Sequence, residues 1–396
     1  MKGAGMNIVF VSNYMNVHQI SFCEAMDKIL REGGGSFHFI AMTPFDEARH
    51  ANGYRDMNDG YRWIVRAYES KAAQERAKSL CRRAELAIIA PEYTEFSDTR
   101  VEVGGLTLLY SERILKRGKA LRLFPFKRKR TIKRFHYLNR SNFGLLCAGS
   151  FVAEDMHVFD LDTSRCLKWG YFPAVAKKHL DGRRANDFLW VGRMINWKQP
   201  YRALELMSPW LLQGATATFI GDGPIRQRFE RTVNDCGLSS RVRIIPGLCN
   251  RGVREIMCTS KMFVTSSTRR EGWGAVLNEA MASGCCCLAS KHAGSTDFLI
   301  EDKVNGYTWI PGENFEMHKV VEELFRNDEH RAIVGQRAAR TINEIWNAET
   351  AATRLVSLAE LWLTNPRSLP VLYGDGPCSS SETMSRAKRP NILSRD

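Results

Sequence analysis

The chain lacks any run approaching the roughly 18 to 20 uninterrupted apolar residues that a membrane span needs, and its N-terminus has no signal-peptide apolar region with a cleavage pattern. A cytoplasmic protein is therefore expected. Eleven cysteines in a chain without a secretory signal read as reduced thiols and not as a disulfide framework. Three are consecutive, Cys285 to Cys287. Successive strand residues point to opposite faces, so the three cannot converge on one ion, and small apolar core residues are expected there. No metal site is expected. No Ser-His-Asp or Cys-His constellation and no metal-binding aspartate motif stands out, and there is no internal repeat in the range of roughly 20 to 50 residues.

Acidic residues are missing altogether from Arg113 to Ala153, although the whole chain has 57 Lys and Arg against 43 Asp and Glu and a net charge of +14. Between Arg113 and Arg134 stand eleven Lys or Arg, interleaved with Leu115, Leu121, Leu123, Phe124, Phe126 and Ile132, with Phe135 just beyond. A charge run of this kind is ordinarily a solvated face. The apolar interleaving suits an anionic membrane surface, where each basic residue contributes about 1 kcal/mol and aromatics insert shallowly. Lys127 to Arg130, KRKR, would also suit nucleic acid, but no nucleic-acid-binding module accompanies it, and nucleic acid is not an expected partner.

With 396 residues the chain is too long for one ordinary core and suggests two domains. The C-terminal half repeats short apolar strand, glycine-rich or polar turn, then helix, the pattern of a doubly wound parallel sheet. Its strands are expected at 188–191, 216–220, 242–245, 262–265 and 286–289. Gly192-Arg193, Gly221-Asp222-Gly223-Pro224, Pro246-Gly247 and the stretch up to Gly274 follow strands at their carboxyl ends, where open α/β sheets bind ligands. The first half gives strands at 8–11, 37–41, 86–90, 106–110 and 145–148. Lys168 to Pro173 reads as the exit from the first domain, the stretch to Asp187 as a linker, and Ala348 to Leu363 as a helix ending before Pro366. Beyond Arg367, Pro, Gly, Ser and mixed charge predict disorder.

The most informative segment is EGWGAVLNEAMASG, Glu271 to Gly284. Two carboxylates, Glu271 and Glu279, flank a glycine-bounded helix start near Ala275. Gly272 and Gly274, around Trp273, permit close approach of a ligand to the backbone, and the helix start faces an anion. Two carboxylates around an anion pocket suit a ligand with hydroxyls at both ends and phosphates between, such as a nucleoside diphosphate sugar.

This segment resembles the Glu, seven residues, Glu element of the retaining glycosyltransferases of family 4, which have GT-B architecture. Leu189 to Gln199, LWVGRMINWKQ, is similar to the family's Gly-Arg and following Lys, which implies Arg193 and Lys198 as diphosphate ligands. IGDGP at Ile220 to Pro224, IPG at Ile245 to Gly247 and GSTDFLIEDKVNGY at Gly294 to Tyr307 fall in family order, covering nearly the whole C-terminal half. In the first half VSNYMNVHQ, YSER and KWGYFP resemble a bacterial subgroup associated with capsular or cell-surface polysaccharide assembly.

The resemblance implies two doubly wound Rossmann-like domains facing each other across a cleft. An acceptor-binding domain is expected over 1–170 and a nucleotide-sugar domain over 171–345. A helix at 346–365 would return to the first domain, and 366–396 would be a disordered tail. The expected catalytic residues are Arg193, Lys198, Glu271 and Glu112. Donor binding falls to Gly192, Gly221, Asp222, Gly223, Gly247, Gly272, Trp273, Gly274 and Glu279, although a sequence such as Gly-Asp-Gly-Pro also serves as a plain turn.

Asn13 and His18 are placed on the acceptor or phosphate side. His18 lies in a loop, NYMNVHQ, that departs from the family's glycine-rich one, and a helix-start histidine bonded locally is an equal reading. Glu112 stands where many members have a histidine, and a structural Glu112–Arg113 ion pair is its rival role.

The implied activity is transfer of a hexosyl unit, with retention, from a nucleoside diphosphate sugar, UDP foremost, to a hydroxyl of a polyprenyl-linked saccharide, without cofactor or metal, by a cytoplasmic protein peripheral to the inner face of the membrane. A nucleotide-sugar epimerase of the same architecture and a membrane-bound sugar-nucleotide-binding scaffold without turnover are the alternatives.

Overall fold

The computed structural model describes residues 5–45, 56–118, 120, 123–174 and 184–381. Lys119, Leu121 and Arg122 of the basic run, most of the linker and the last part of the expected tail lie outside them. The chain divides into two compact units, Met1–Ala174 with Asn347–Asp396, and Val175–Trp346.

In the first unit seven strands, all parallel, form one sheet: β1 (Asn7–Ser12), β2 (Ser36–Ala41), β3 (Ile64–Arg66), β4 (Leu86–Ile89), β5 (Leu106–Ser111), β6 (Phe143–Ala148) and β7 (Cys166–Trp169). Their spatial order is β3-β2-β1-β4-β5-β6-β7. Every residue of β4, β5 and β6 is buried, as expected of parallel strands covered on both faces by helices. The order reverses between β1 and β4, so the crevice at their carboxyl ends is the switch point at which such sheets take ligands.

The helix Val17–Glu32, capped by the Asn16 side chain, packs against Ala348–Thr364, which buries Ala351, Ala352, Leu355, Leu358, Ala359 and Trp362 along one stripe. The small alanines let the two helices approach, and this stripe ties the C-terminal helix into the first unit.

The second unit holds six parallel strands: β8 (Asn186–Val191), β9 (Ala217–Ile220), β10 (Val242–Ile245), β11 (Ser260–Val264), β12 (Cys286–Ser290) and β13 (Tyr307–Trp309). Their order is β10-β9-β8-β11-β12-β13, with the switch point between β8 and β11. Its core gathers Phe188, Trp190, Phe219, Phe229, Val264 and Leu288. Cys285, Cys286 and Cys287 are all fully buried, and burial pushes their thiols up, the first two to about 12. They are core residues.

Three strands escape the sequence pattern. β3 and β13 have three residues each, too few for a period to register, and β7 overlaps Lys168 to Pro173, which reads in sequence as the exit from the domain. Lys168, in the middle of β7, is buried and paired with Asp375, which conceals the strand in composition. The expectation of disorder beyond Arg367 is corrected as far as Ser381. Cys378, Ser379 and Ser381 are buried, and the segment runs antiparallel to β7 through Lys168 N–H to Ser379 O at 2.7 Å, Cys378 N–H to Lys168 O at 2.9 Å and Ser381 N–H to Cys166 O at 2.8 Å. A polar segment needs no core of its own where an edge strand supplies unpaired backbone groups.

Candidate functional site

In the second unit the loops after β8 and β9 are laid on each other. Gly192 N–H donates to Ile220 O at 3.0 Å and Met194 N–H to Asp222 O at 2.7 Å. A side chain at Gly221 would place its Cβ 1.9 Å from Gly192 O, and one at Gly223 would come within 2.4 Å of Met194 O. Both glycines also have positive φ, 148° and 151°. Gly221 and Gly223 are therefore required by the close approach of the loops after β8 and β9, which a plain turn would not need. Asp222 turns back into its own loop, accepting from Gly223 N–H at 2.7 Å and lying 3.4 Å from Arg226. Gly247 stands in the loop after β10 with open space where a side chain would be.

Lys198 and Glu271 meet as an ion pair, although they come from loops after different strands. Ser267 Oγ donates to the same Glu271 oxygen at 3.1 Å. The Lys198 loop is held from below: Ser266 Oγ donates to Lys198 O at 2.9 Å and to Gln199 O at 2.8 Å, and it accepts from Trp190 Nε1 at 3.1 Å. Gln199 turns the chain with φ of 50° into the helix Pro200–Leu211. Lys198, Glu271, Gly274 and Ser295 line a small cavity of about 10 Å3 beside β8 and β11. The Ser295 hydroxyl is buried there without a hydrogen-bond partner. Gly274 has φ of 89°, which disfavours any side chain there, and an added Cβ would sit in van der Waals contact with Glu271.

The helix after this loop, Val276–Ala282, starts at Ala275 as expected. Glu279 lies in its first turn and is 7 % exposed. Burial pushes its carboxyl up to about 7 against the opposing pull of the Arg254 cation. It does not line the small cavity. Trp273 is corrected from donor-binding residue to core: it is 1 % exposed, its Nε1 donates to Asn278 Oδ1 at 2.9 Å, and it packs on Phe298 and Trp346. Next to it Gly272 is buried as well. An indole between two glycines looks available in sequence, but its size is what fills the space beneath the loop.

Arg193 is exposed and lies over Trp197, with its guanidinium carbon 5.5 Å from the ring centroid; Arg270 lies 4.7 Å from the same ring. Sequence reasoning missed Trp197, Ser267, Arg270 and Ser295, of which Arg270 and Ser267 had a signal in their closeness to Glu271. Among the described residues no group of three or more His, Cys, Asp and Glu is placed to hold a metal ion.

The first unit has its own polar pocket, of about 320 Å3, at the carboxyl ends of β1, β4 and β5, lined by Asn13, Asn16, Glu92, Tyr110, Glu112 and Tyr171 among others. Asn13 and Glu112 thus share one pocket. Tyr171 OH donates to Glu112 Oε1 at 2.9 Å, and Lys116 pairs with the other carboxylate oxygen. Burial, then the neighbouring Tyr110 and Glu112, push the Tyr171 phenol well above its ordinary range, which keeps it a donor.

The alternative Glu112–Arg113 pair does not form. Arg113 turns inward to Asp155, 3.1 Å away, and Asp155 also accepts from Ile114 N–H and Leu115 N–H at 2.8 and 2.9 Å. His18 is half-buried beside Tyr171, with ring centroids 5.9 Å apart, and its backbone N–H is capped by Asn16. It does not line the pocket.

The basic run divides. Arg113 is buried, Lys116 is tied to Glu112, and Leu115 and Phe135 belong to the core. The surface part is the helix Pro125–Phe135 with the residues before it, where Leu123, Phe124 and Phe126 are 73 %, 56 % and 78 % exposed. No helix among the described residues is long and apolar enough to cross a membrane.

Residues 173–341, nearly all of the second unit, match the family described as glycosyl transferases group 1. The chain is similar to the sulfoquinovosyl transferase SQD2 of Arabidopsis thaliana, 27 % identical over 179 residues, which cover 43 % of this chain and 34 % of that protein. This chain therefore spans about a third of that relative's length. Among solved structures it is similar to Anabaena Alr3699/HepE in complex with UDP, with a TM-score of 0.67 and 14 % identity over 90 % of this chain and all of the other. It is also similar to TarM, with a TM-score of 0.65 and 12 % identity over 90 % of this chain and 99 % of the other. These likenesses establish the fold: two Rossmann-like parallel-sheet α/β domains of the GT-B class.

Proposed function

We propose that this chain is a retaining glycosyltransferase of family 4 that moves a hexosyl unit from a UDP-sugar to a hydroxyl of a polyprenyl-linked saccharide in the synthesis of cell-surface polysaccharide. The observation that carries the reading is the Lys198–Glu271 pair, a cation suited to a diphosphate and a carboxylate suited to sugar hydroxyls, held together at the switch point of the second sheet. Structures of the similar Anabaena protein hold UDP and UDP-glucose, and the lipopolysaccharide outer core galactosyltransferase WaaB has a TM-score of 0.61 with this chain, which supports a UDP-sugar donor and a cell-surface glycan product.

In this reading the bond from the anomeric carbon to the diphosphate oxygen breaks while one to the acceptor oxygen forms on the same face, and the acceptor proton passes to a phosphate oxygen. Arg193 and Lys198 stabilise the charge on the departing diphosphate, which positioned cations do most effectively where water is excluded. Glu271 holds hydroxyls of the transferred sugar and Glu279 those of the ribose. Glu112, fixed by Tyr171 and Lys116, orients the acceptor in the first-unit pocket. No protein nucleophile, metal or cofactor is assigned a step. The exposed Leu123, Phe124 and Phe126 beside Lys127 to Arg130 hold the protein to the anionic inner face of the cell membrane.

The test is release of UDP from UDP-glucose and related donors by the purified chain, with and without a saccharide acceptor. Release that requires acceptor is expected. Turnover of the donor's sugar to an epimer without acceptor, or binding with no release under any acceptor, would replace the proposal with epimerase or scaffold.

A further inference from the structure

Among the described residues Arg193 and Arg270 are two cations without a counter-charge. Among these residues neither has a carboxylate at ion-pair distance, and the acidic residues closest to them in sequence are engaged elsewhere, Glu271 with Lys198 and Asp187 with Lys261. Both guanidiniums nevertheless sit over one indole, that of Trp197. The arrangement is built in by the backbone, because Thr268 N–H donates to Trp197 O at 2.8 Å and ties the loop after β11 to the loop after β8. Like charges repel, and an exposed ring attracts each guanidinium only modestly. Two of them gathered on a shared ring are best stabilised by an anion that both can reach. They stand after β8 and β11, neighbouring strands on either side of the switch point.

We propose that Arg270 is a ligand of the donor's diphosphate, acting together with Arg193 on the Trp197 platform. The inference rests on the reading of the second unit as a nucleotide-sugar domain and adds a cation to it. Lys198 is neutralised by Glu271, so two further guanidiniums supply charge that Lys198 alone does not offer. A guanidinium binds phosphate through two parallel N–H donors, whereas an ammonium acts as a point charge, so lysine is not an equivalent replacement.

The experiment is calorimetric titration of the full chain and of Arg270→Gln, Arg270→Lys and Trp197→Leu with UDP and with UDP-glucuronate at several salt concentrations. Arg270 is exposed, so its variants should melt with the wild type. Arg270→Gln is expected to weaken both ligands by the same factor, about tenfold, and to flatten the salt dependence. Arg270→Lys should restore only part of the loss, and Trp197→Leu should weaken both ligands as well. UDP affinity within about twofold of wild type in Arg270→Gln would overturn the assignment while leaving the donor site standing. A loss confined to UDP-glucuronate would overturn it too, because Arg270 would then answer a charge on the sugar. A wild-type chain that binds neither UDP nor UDP-glucuronate would remove the functional reading itself, and this inference with it.

Discussion

Lys198 Nζ and Glu271 Oε2 are in contact, with side chains 16 % and 14 % exposed, and Ser267 donates to the same carboxylate oxygen. In the proposed reading the contact joins the cation assigned to the diphosphate and the carboxylate assigned to the sugar hydroxyls. An arriving diphosphate must compete with Glu271 for Lys198, and success frees the carboxylate for the sugar. Glu271→Gln removes the competing charge and leaves a neutral amide oxygen, a weaker acceptor for sugar hydroxyls than the carboxylate. UDP affinity should therefore be unchanged or improved, while turnover falls by about 100-fold or more. Turnover near the wild-type rate would take Glu271 out of the reacting centre.

Glu279 predicts a pH dependence of stability. Its carboxyl is raised from 4.5 to about 7 by burial, so the folded state favours the protonated form. The stability this contributes is fully present below about pH 4.5 and is lost as pH rises through about 7, and the shift corresponds to about 3 kcal/mol. Glu279→Gln cannot ionise. Denaturant titrations should show the variant gaining about 2 kcal/mol on the wild type between about pH 5 and pH 8. A constant difference across that range would show that the carboxyl is not held up by burial.

Glu112 and Asp155 should separate function from stability. Glu112→Gln keeps shape and hydrogen bonding in the first-unit pocket but removes charge, and turnover should drop with little change in melting temperature. Asp155→Ala strips the buried Arg113 of its partner and the Ile114 and Leu115 amides of their acceptor, at a cost of about 3 to 5 kcal/mol. Melting curves read beside turnover decide this. A fully active Glu112→Gln enzyme would make Glu112 a structural residue.

Replacing Lys127, Arg128, Lys129 and Arg130 with Gln should reduce sedimentation with anionic liposomes, as should Phe126→Ser, whose ring is 78 % exposed. Added salt should mimic the charge variant and not the aromatic one, since screening acts on surface charge alone. Turnover on a soluble acceptor analogue should persist. Tight binding to single-stranded nucleic acid, with indifference to liposomes at low salt, would reverse the reading.

The sequence by itself determined the central strands and the loops that follow them. Long apolar runs such as those around Phe10, Ile88, Phe219 and Leu288 have no stable home but a sheet covered on both faces, and Gly221 and Gly223 are the only residues that fit where two loops touch. Glu271 stands out in the sequence beside its glycines, and Lys198 and Glu112 stand out through the family resemblance of the segments that hold them.

Tertiary structure decided what each charge faces. Arg113 follows Glu112 in the chain yet turns to Asp155, while Glu112 meets Tyr171 and Lys116. Trp273 became core, Cys378 to Ser381 became a sheet edge, and Arg193 and Arg270 came to share one ring. Each of these depends on contacts between segments far apart in sequence, and such contacts follow from how strands are ordered in a sheet, which local composition does not encode.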